Sequence, residues 1–129
     1  MTRYYKILNG DKSCNGGTAK WSLPRVLRPG NWMPAVKNPK CCERGYHVVT
    51  TTHLREWLEV GYTAYEVEVR GASDVASDKS AHAEARLLRR VGQWTMRKAD
   101  DYNAKRKPLN DDYDAKRGKL MLRILRRRV

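Results

Sequence analysis

The stretch Tyr62-Thr-Ala-Tyr-Glu-Val-Glu-Val-Arg70 decides how the rest of the chain is read. Tyr65, Val67 and Val69 alternate with Glu66, Glu68 and Arg70. One side is therefore apolar and the other charged, the period-two pattern of a half-buried β-strand. Such a strand needs a partner. In residues 81–91, Ala81, Ala83, Ala85 and Leu87 alternate with His82, Glu84 and Arg86. The Ala, Glu, Arg and Leu content would also suit a helix. The alternation and the position after a strand predict a second strand, joined to the first by a turn-rich connection over 71–79.

Working back toward the N-terminus, residues 46–50 read as a buried strand entered through a turn at Gly45. Thr51 or Thr52 can cap a helix, although Glu56 falls too late for a capping box. Leu54, Trp57 and Leu58 share one face of that helix, and Gly61 stops it. Residues 3–8 form a further strand, followed by a Gly- and Asn-rich loop over 9–17. Residues 20–40 read as irregular, because Pro24, Pro29, Pro34 and Pro39 each remove a backbone donor. Trp21 and Trp32 are expected to pin this long loop to the body.

Beyond the hairpin, residues 93–106 read as a helix with a thin apolar face, broken by Pro108. Asn110-Asp-Asp112 can start the next element. Residues 119–128 fit a helix through Met121, Ile124 and Leu125, or a strand through Leu120, Leu122 and Ile124. The order predicts an α+β fold: a small mixed or antiparallel sheet, one short helix, and a basic, mainly helical C-terminal segment. Residues 1–94 form the body. Residues 95–129 are a basic extension packed on it or projecting from it.

A chain of 129 residues builds one modest core, and 40% apolar content suffices for it. The charge is unevenly placed. Residues 1–85 carry 12 Lys/Arg against 9 Asp/Glu, and residues 86–129 carry 15 against 5. The last third is thus the part expected to attract phosphate backbones. Its cations are Arg86, Arg89, Arg90, Arg97, Lys98, Lys105, Arg106 and Lys107, then Lys116, Arg117, Lys119, Arg123, Arg126, Arg127 and Arg128. Arg suits bidentate phosphate contact. Tyr102 and Tyr113 interleave and could stack on bases. No helix-turn-helix or RNA-sheet signature is present, so binding without base readout is expected. A basic face serving solubility alone is the plain alternative.

Three cysteines, Cys14, Cys41 and Cys42, follow no secretory signal, so a reducing cytoplasm is expected. No stretch approaches a membrane span. No C-x2-C pair exists, and His47, His53 and His82 fall on separate elements, so no metal is expected. Cys42-Glu-Arg-Gly-Tyr-His47 could pair a thiolate with Arg44 and His47. A turn into a strand, with His47 satisfied by a hydrogen bond, is the favoured reading. Ser13-Cys-Asn-Gly-Gly17 with Lys12 and Lys20 could cradle a phosphate but lacks P-loop spacing. Glu66, Glu68 and Glu84 could do acid–base work; a solvated face offsetting Arg70 is the favoured reading.

Several runs recur in order: Tyr5-Lys-Ile-Leu-Asn, Ser13-Cys-Asn-Gly-Gly17, Lys20-Trp-Ser-Leu-Pro24, Pro29-Gly-Asn-Trp32, Cys42 to His47, Tyr65-Glu-Val-Glu and Ala85-Arg-Leu-Leu-Arg-Arg-Val91. Over residues 4–94 they resemble an uncharacterised domain of phage and bacterial, notably actinobacterial, proteins. That resemblance implies a phage or prophage origin and no activity. Tyr46-His-Val-Val-Thr50, the helix after it and Tyr65-Glu-Val-Glu-Val69 also resemble the order in small ADP-ribosyltransferases and RNA 2′-phosphotransferases. This second resemblance implies a nicotinamide nucleotide held by a first-strand residue, for which Arg3 is the candidate. Its cleft would be walled by Tyr46, Thr50, Tyr65 and the Glu66/Glu68 face.

The expectation is a non-enzymatic phage-type accessory protein without a cofactor. Its partner is DNA or RNA, free or within a host ribonucleoprotein, engaged through the basic last third. The alternatives are an NAD-dependent ADP-ribosyl transferase and an inhibitor of an acidic host protein.

Overall fold

The computed structural model describes residues 2–13, 19–106 and 114–127. Five strands form one antiparallel sheet: β1 (Tyr4–Asn9), β2 (Lys12–Ser13), β3 (Tyr46–Val48), β4 (Thr63–Val75) and β5 (Ser80–Gln93). Their order across the sheet is β2-β1-β4-β5-β3. A 3-10 helix (Thr51–Glu56), α1 (Met96–Arg106) and α2 (Asp114–Leu125) complete the fold. It is the α+β class expected, with a small antiparallel sheet, one short helix and a helical C-terminal segment.

The β4–β5 hairpin is the frame. Tyr65 and Val67 are buried and Val69 packs beside them, as the alternation predicts. β4 does not stop at Arg70 but runs on to Val75, so most of the expected connection over 71–79 is strand. A register shift between Arg70 and Ser73 takes up the irregularity there, and Gly71 adopts a positive φ of 81°. The true turn is short, closed by Ala76 N–H on the Lys79 carbonyl at 2.9 Å.

β1 lies inside the sheet. One edge pairs with β4, from Tyr4 opposite Val67 to Leu8 opposite Thr63. On the other, Tyr5 and Val49 exchange backbone bonds of 2.7 and 3.0 Å, which returns the chain leaving β3 to β1. The sheet thereby curls toward a small barrel. Leu8, Val48, Val67, Ala85 and Leu87 pack together with Trp21 and Met33. On the opposite face, Tyr5, Ile7, Val49 and Ala64 pack with the 3-10 helix and both α-helices.

The Pro-rich loop is ordered because it completes the β5 edge. Gly30, Met33 and Val36 donate to the carbonyls of Leu87, Ala85 and Ala83 at 2.8, 2.9 and 2.8 Å. Every third residue donates; Pro34 falls between the donors and Pro29 just before them, where no donor is needed. Trp21 is 4% exposed and so anchors the loop as expected. Trp32 instead lies over guanidinium groups, 3.7 Å from Arg70 and 4.9 Å from Arg86.

One helical expectation is refined in kind and one open alternative is decided. The segment after Thr50 is a 3-10 helix, with His53 and Trp57 N–H groups bonding Thr50 and Leu54 carbonyls at 3.2 Å. No side-chain cap supports its start, and Gly61 follows too soon for a longer helix. The ambiguous C-terminal run is helical. Leu120, Met121, Leu122, Ile124 and Leu125 are all buried, which hides any single face in the sequence.

Candidate nucleic-acid interface and surface cavity

The cations expected to bind phosphate fall into three groups. The first is engaged inside the fold. Lys98 is buried at the C-terminal end of α2, where Nζ donates to the Leu125 and Gln93 carbonyls, both at 3.0 Å. It thus satisfies a helix-end carbonyl. Burial, with Arg90 and Arg127 nearby, lowers its pKa. Arg117, on α2, is also buried. Neither side chain is placed to meet a phosphate from solvent.

The second group is paired with carboxylates. Arg86 meets Glu68 at 2.6 Å, Arg89 meets Glu66 at 3.1 Å, and Arg70 meets Glu84 at 3.1 Å. These cross-strand pairs form a ladder on the charged face of the hairpin. The three glutamates considered for acid–base work are its acidic half. Lys105 and Arg127 both pair with Asp101.

The third group is exposed and has no ion pair among the described residues: Arg90, Arg97, Arg106, Lys119, Arg123 and Arg126. Lys119, Arg123 and Arg126 recur at i, i+4 and i+7 along α2 and the turn that follows it. Lys116 is exposed one turn before them. At 1.5 Å rise per residue the three cations span roughly 10 Å of one helix face. The sole carboxylate in α2 is Asp114, at its first position. Lys107 and Arg128 lie outside the described residues.

Of the two tyrosines expected to stack on bases, Tyr102 is 7% exposed and packs edge-on against Trp94 at 5.8 Å. It belongs to the core, because the thin apolar face of α1 needs it there. Tyr113 lies outside the described residues.

The Cys42–His47 segment closes on itself through the backbone. His47 Nε2 accepts the Cys42 N–H at 2.7 Å. The ring is bonded to the Gly45 backbone as well, and burial together with Lys6 and Lys79 lowers its pKa. It is a neutral, structural imidazole. The thiols point elsewhere: Cys41 Sγ meets the Asp74 carbonyl at 3.1 Å, and the Cys42 sulfur contacts Lys79, whose pKa it raises. Cys42 itself sits at φ 69°, in left-handed backbone. Cys14 and the rest of the Gly-rich loop over 14–17 lie outside the described residues. Among the described residues, no three His, Cys, Asp or Glu side chains are placed to hold a metal, and no helix is long and apolar enough to cross a membrane.

A surface cavity of about 610 Å³ opens between β1 and β3, with the 42–45 turn, Trp57 and Lys79 on its rim. It exists because the two strands share only the Tyr5–Val49 bridge, with Lys6 Nζ reaching the His47 carbonyl at 2.8 Å across the opening. Of the five residues expected to wall a nicotinamide-nucleotide cleft, Tyr46 lines this cavity; Thr50 precedes the 3-10 helix, Tyr65 is buried in the core, and Glu66 and Glu68 are in the ladder. Sequence reading missed Lys6, Trp57 and Lys79 as a group, since they are dispersed along the chain and carry no motif. Comparison with protein-family models, with curated proteins and with solved structures finds no match to this chain.

Proposed function

We propose that this chain binds the phosphate backbone of DNA or RNA through α2, without reading bases, as a phage-type accessory protein acting on nucleic acid or a host ribonucleoprotein. One observation carries the reading: Lys119, Arg123 and Arg126 are exposed on one helix face and have no carboxylate partner among the described residues. Cations already matched by Glu or Asp gain little from a phosphate, whereas these three can exchange condensed counterions for protein contact. Arg97 and Arg106, exposed on α1, add to the positive field. The resemblance to a phage domain rests on the quoted sequence runs and supplies the setting only.

The test is a salt titration of binding to duplex DNA and to single-stranded and duplex RNA. The triple variant K119E/R123E/R126E is expected to weaken binding at least about tenfold at low salt and to flatten the log–log salt slope by about 2 to 3. No detectable binding by the parent protein at low salt, or equal binding by the variant, overturns the proposal. An acidic protein partner would satisfy the same charges. A pull-down from host lysate separates the two, since nucleic-acid-mediated capture is lost on nuclease treatment and direct protein capture is not.

A further inference from the structure

The cavity between β1 and β3 has an unusual lining for a surface recess. Three cations face it, Lys6, Arg44 and Lys79, against one acid, Glu43. That acid is shared between Arg44 at 3.6 Å and Lys40 at 3.5 Å. Four Trp and Tyr residues among the described residues also line it, Tyr5, Trp21, Tyr46 and Trp57, with Trp21 and Tyr46 packed edge-to-face at 5.3 Å.

We propose that this cavity binds a phosphate monoester joined to a planar ring, the chemistry of a nucleotide. Charge selects the phosphate. The lining carries a net excess of two positive charges, which one carboxylate would leave half-balanced and a phosphate monoester of about −1.5 to −2 matches. The aromatic walls select the ring, since a base offers faces to stack. The cavity volume lies within the roughly 300–1,000 Å³ of small-molecule sites. Lys79 stands at the junction of the two halves: its ammonium lies 5.2 Å from the Trp57 ring centroid and contacts the Cys42 sulfur. The source of the ligand is either a free mononucleotide or the phosphorylated end of a strand. The site stands independently of α2.

The test is calorimetry on the full chain with AMP, adenosine, ribose 5-phosphate and a short 5′-phosphorylated oligonucleotide. AMP is expected to bind with a Kd below about 1 mM, and adenosine and ribose 5-phosphate each at least about tenfold more weakly. Lys79→Glu should weaken AMP about tenfold while leaving the melting temperature within about 2 °C, since the side chain lies at the rim. Oligonucleotide binding about tenfold tighter than AMP identifies a strand end as the source; equal or weaker binding identifies the free nucleotide. No heat with AMP at about 5 mM, adenosine binding as well as AMP, or an unchanged affinity in Lys79→Glu each overturns the proposal. The K119E/R123E/R126E variant should bind AMP like the parent, so failure of the α2 interface and failure of the cavity are separable.

Discussion

At the scale of single residues, the polar groups that the fold buries are those whose role is least visible in the sequence. His82 is 5% exposed, shares a 2.7 Å bond between Nε2 and the Ser80 hydroxyl, and lies edge-on to Tyr4. Burial, and then His47, lowers its pKa; burial and then Lys6 lower that of His47. Both rings are therefore easier to protonate in the unfolded chain, and stability rises with pH across that window. Acidification below the ordinary histidine range, about pH 6.5, is expected to lower Tm progressively until both folded-state values are passed. Thermal melts from pH 8 to pH 5 check this, and a Tm that holds level or rises below pH 6.5 contradicts it. Lys98 and Arg117 teach the same lesson. In a basic run every cation reads as surface charge, and only the packed structure reveals that Lys98 closes the end of α2.

At the scale of elements, α2 carries a glycine where its own propensity would prefer alanine. Gly118 lies within the helix, and a Cβ there would overlap the Thr51 carbonyl oxygen at the start of the 3-10 helix. The two elements approach backbone to backbone at that point. Gly118→Ala would gain about 1 kcal/mol of helix propensity. The obstructing atom is main chain and cannot swing aside, so a net loss of about 1–3 kcal/mol is expected. Chemical denaturation measures it, and an unchanged or raised midpoint would refute the close approach.

How far the elements could be read depended on what covers them. β4 and β5 were legible because the hairpin has one apolar and one charged face, and the ladder of Arg86, Arg89 and Arg70 with Glu68, Glu66 and Glu84 occupies the charged one. α2 was ambiguous between helix and strand because it is buried on nearly every side over 120–125. The Pro-rich loop read as irregular because it meets β5 through every third N–H, a period that belongs to neither regular structure. The face proposed to bind phosphate was half legible: charge density pointed to the last third, and burial and pairing leave α2 with its exposed, unpaired cations among the described residues. The cavity was illegible, since it depends on how β1 diverges from β3.

At the scale of the whole molecule, the C-terminal segment is part of the core as well as its most basic surface. Leu120, Met121, Leu122, Ile124 and Leu125 are each under a tenth exposed and pack with Tyr5, Leu54 and Trp94. Burying five such side chains contributes roughly 8–15 kcal/mol, as much as the net stability of an ordinary domain. A chain cut after Arg106 is expected to lose cooperative melting and near-ultraviolet dichroism. A truncated chain that melts near the parent temperature would show the body to be self-sufficient. For this reason charge reversal on α2, and not truncation, isolates binding.

The position of β1 inside the sheet bears on the order in which the protein can come into being. It leaves the ribosome before β4, yet apart from the two-residue β2 at its far end its partners are Val49 and residues 63–67. At about 5–20 residues per second, β1 waits several seconds for the chain that will hold it. During that wait Tyr4-Tyr-Lys-Ile-Leu8 is an apolar strand with its β4 edge open and only the Leu8 end of the other covered by β2, the state in which chaperones find clients and neighbouring nascent chains find each other. Yield in the cell should therefore respond to the speed of translation between β1 and β4 more than to the stability of the finished fold.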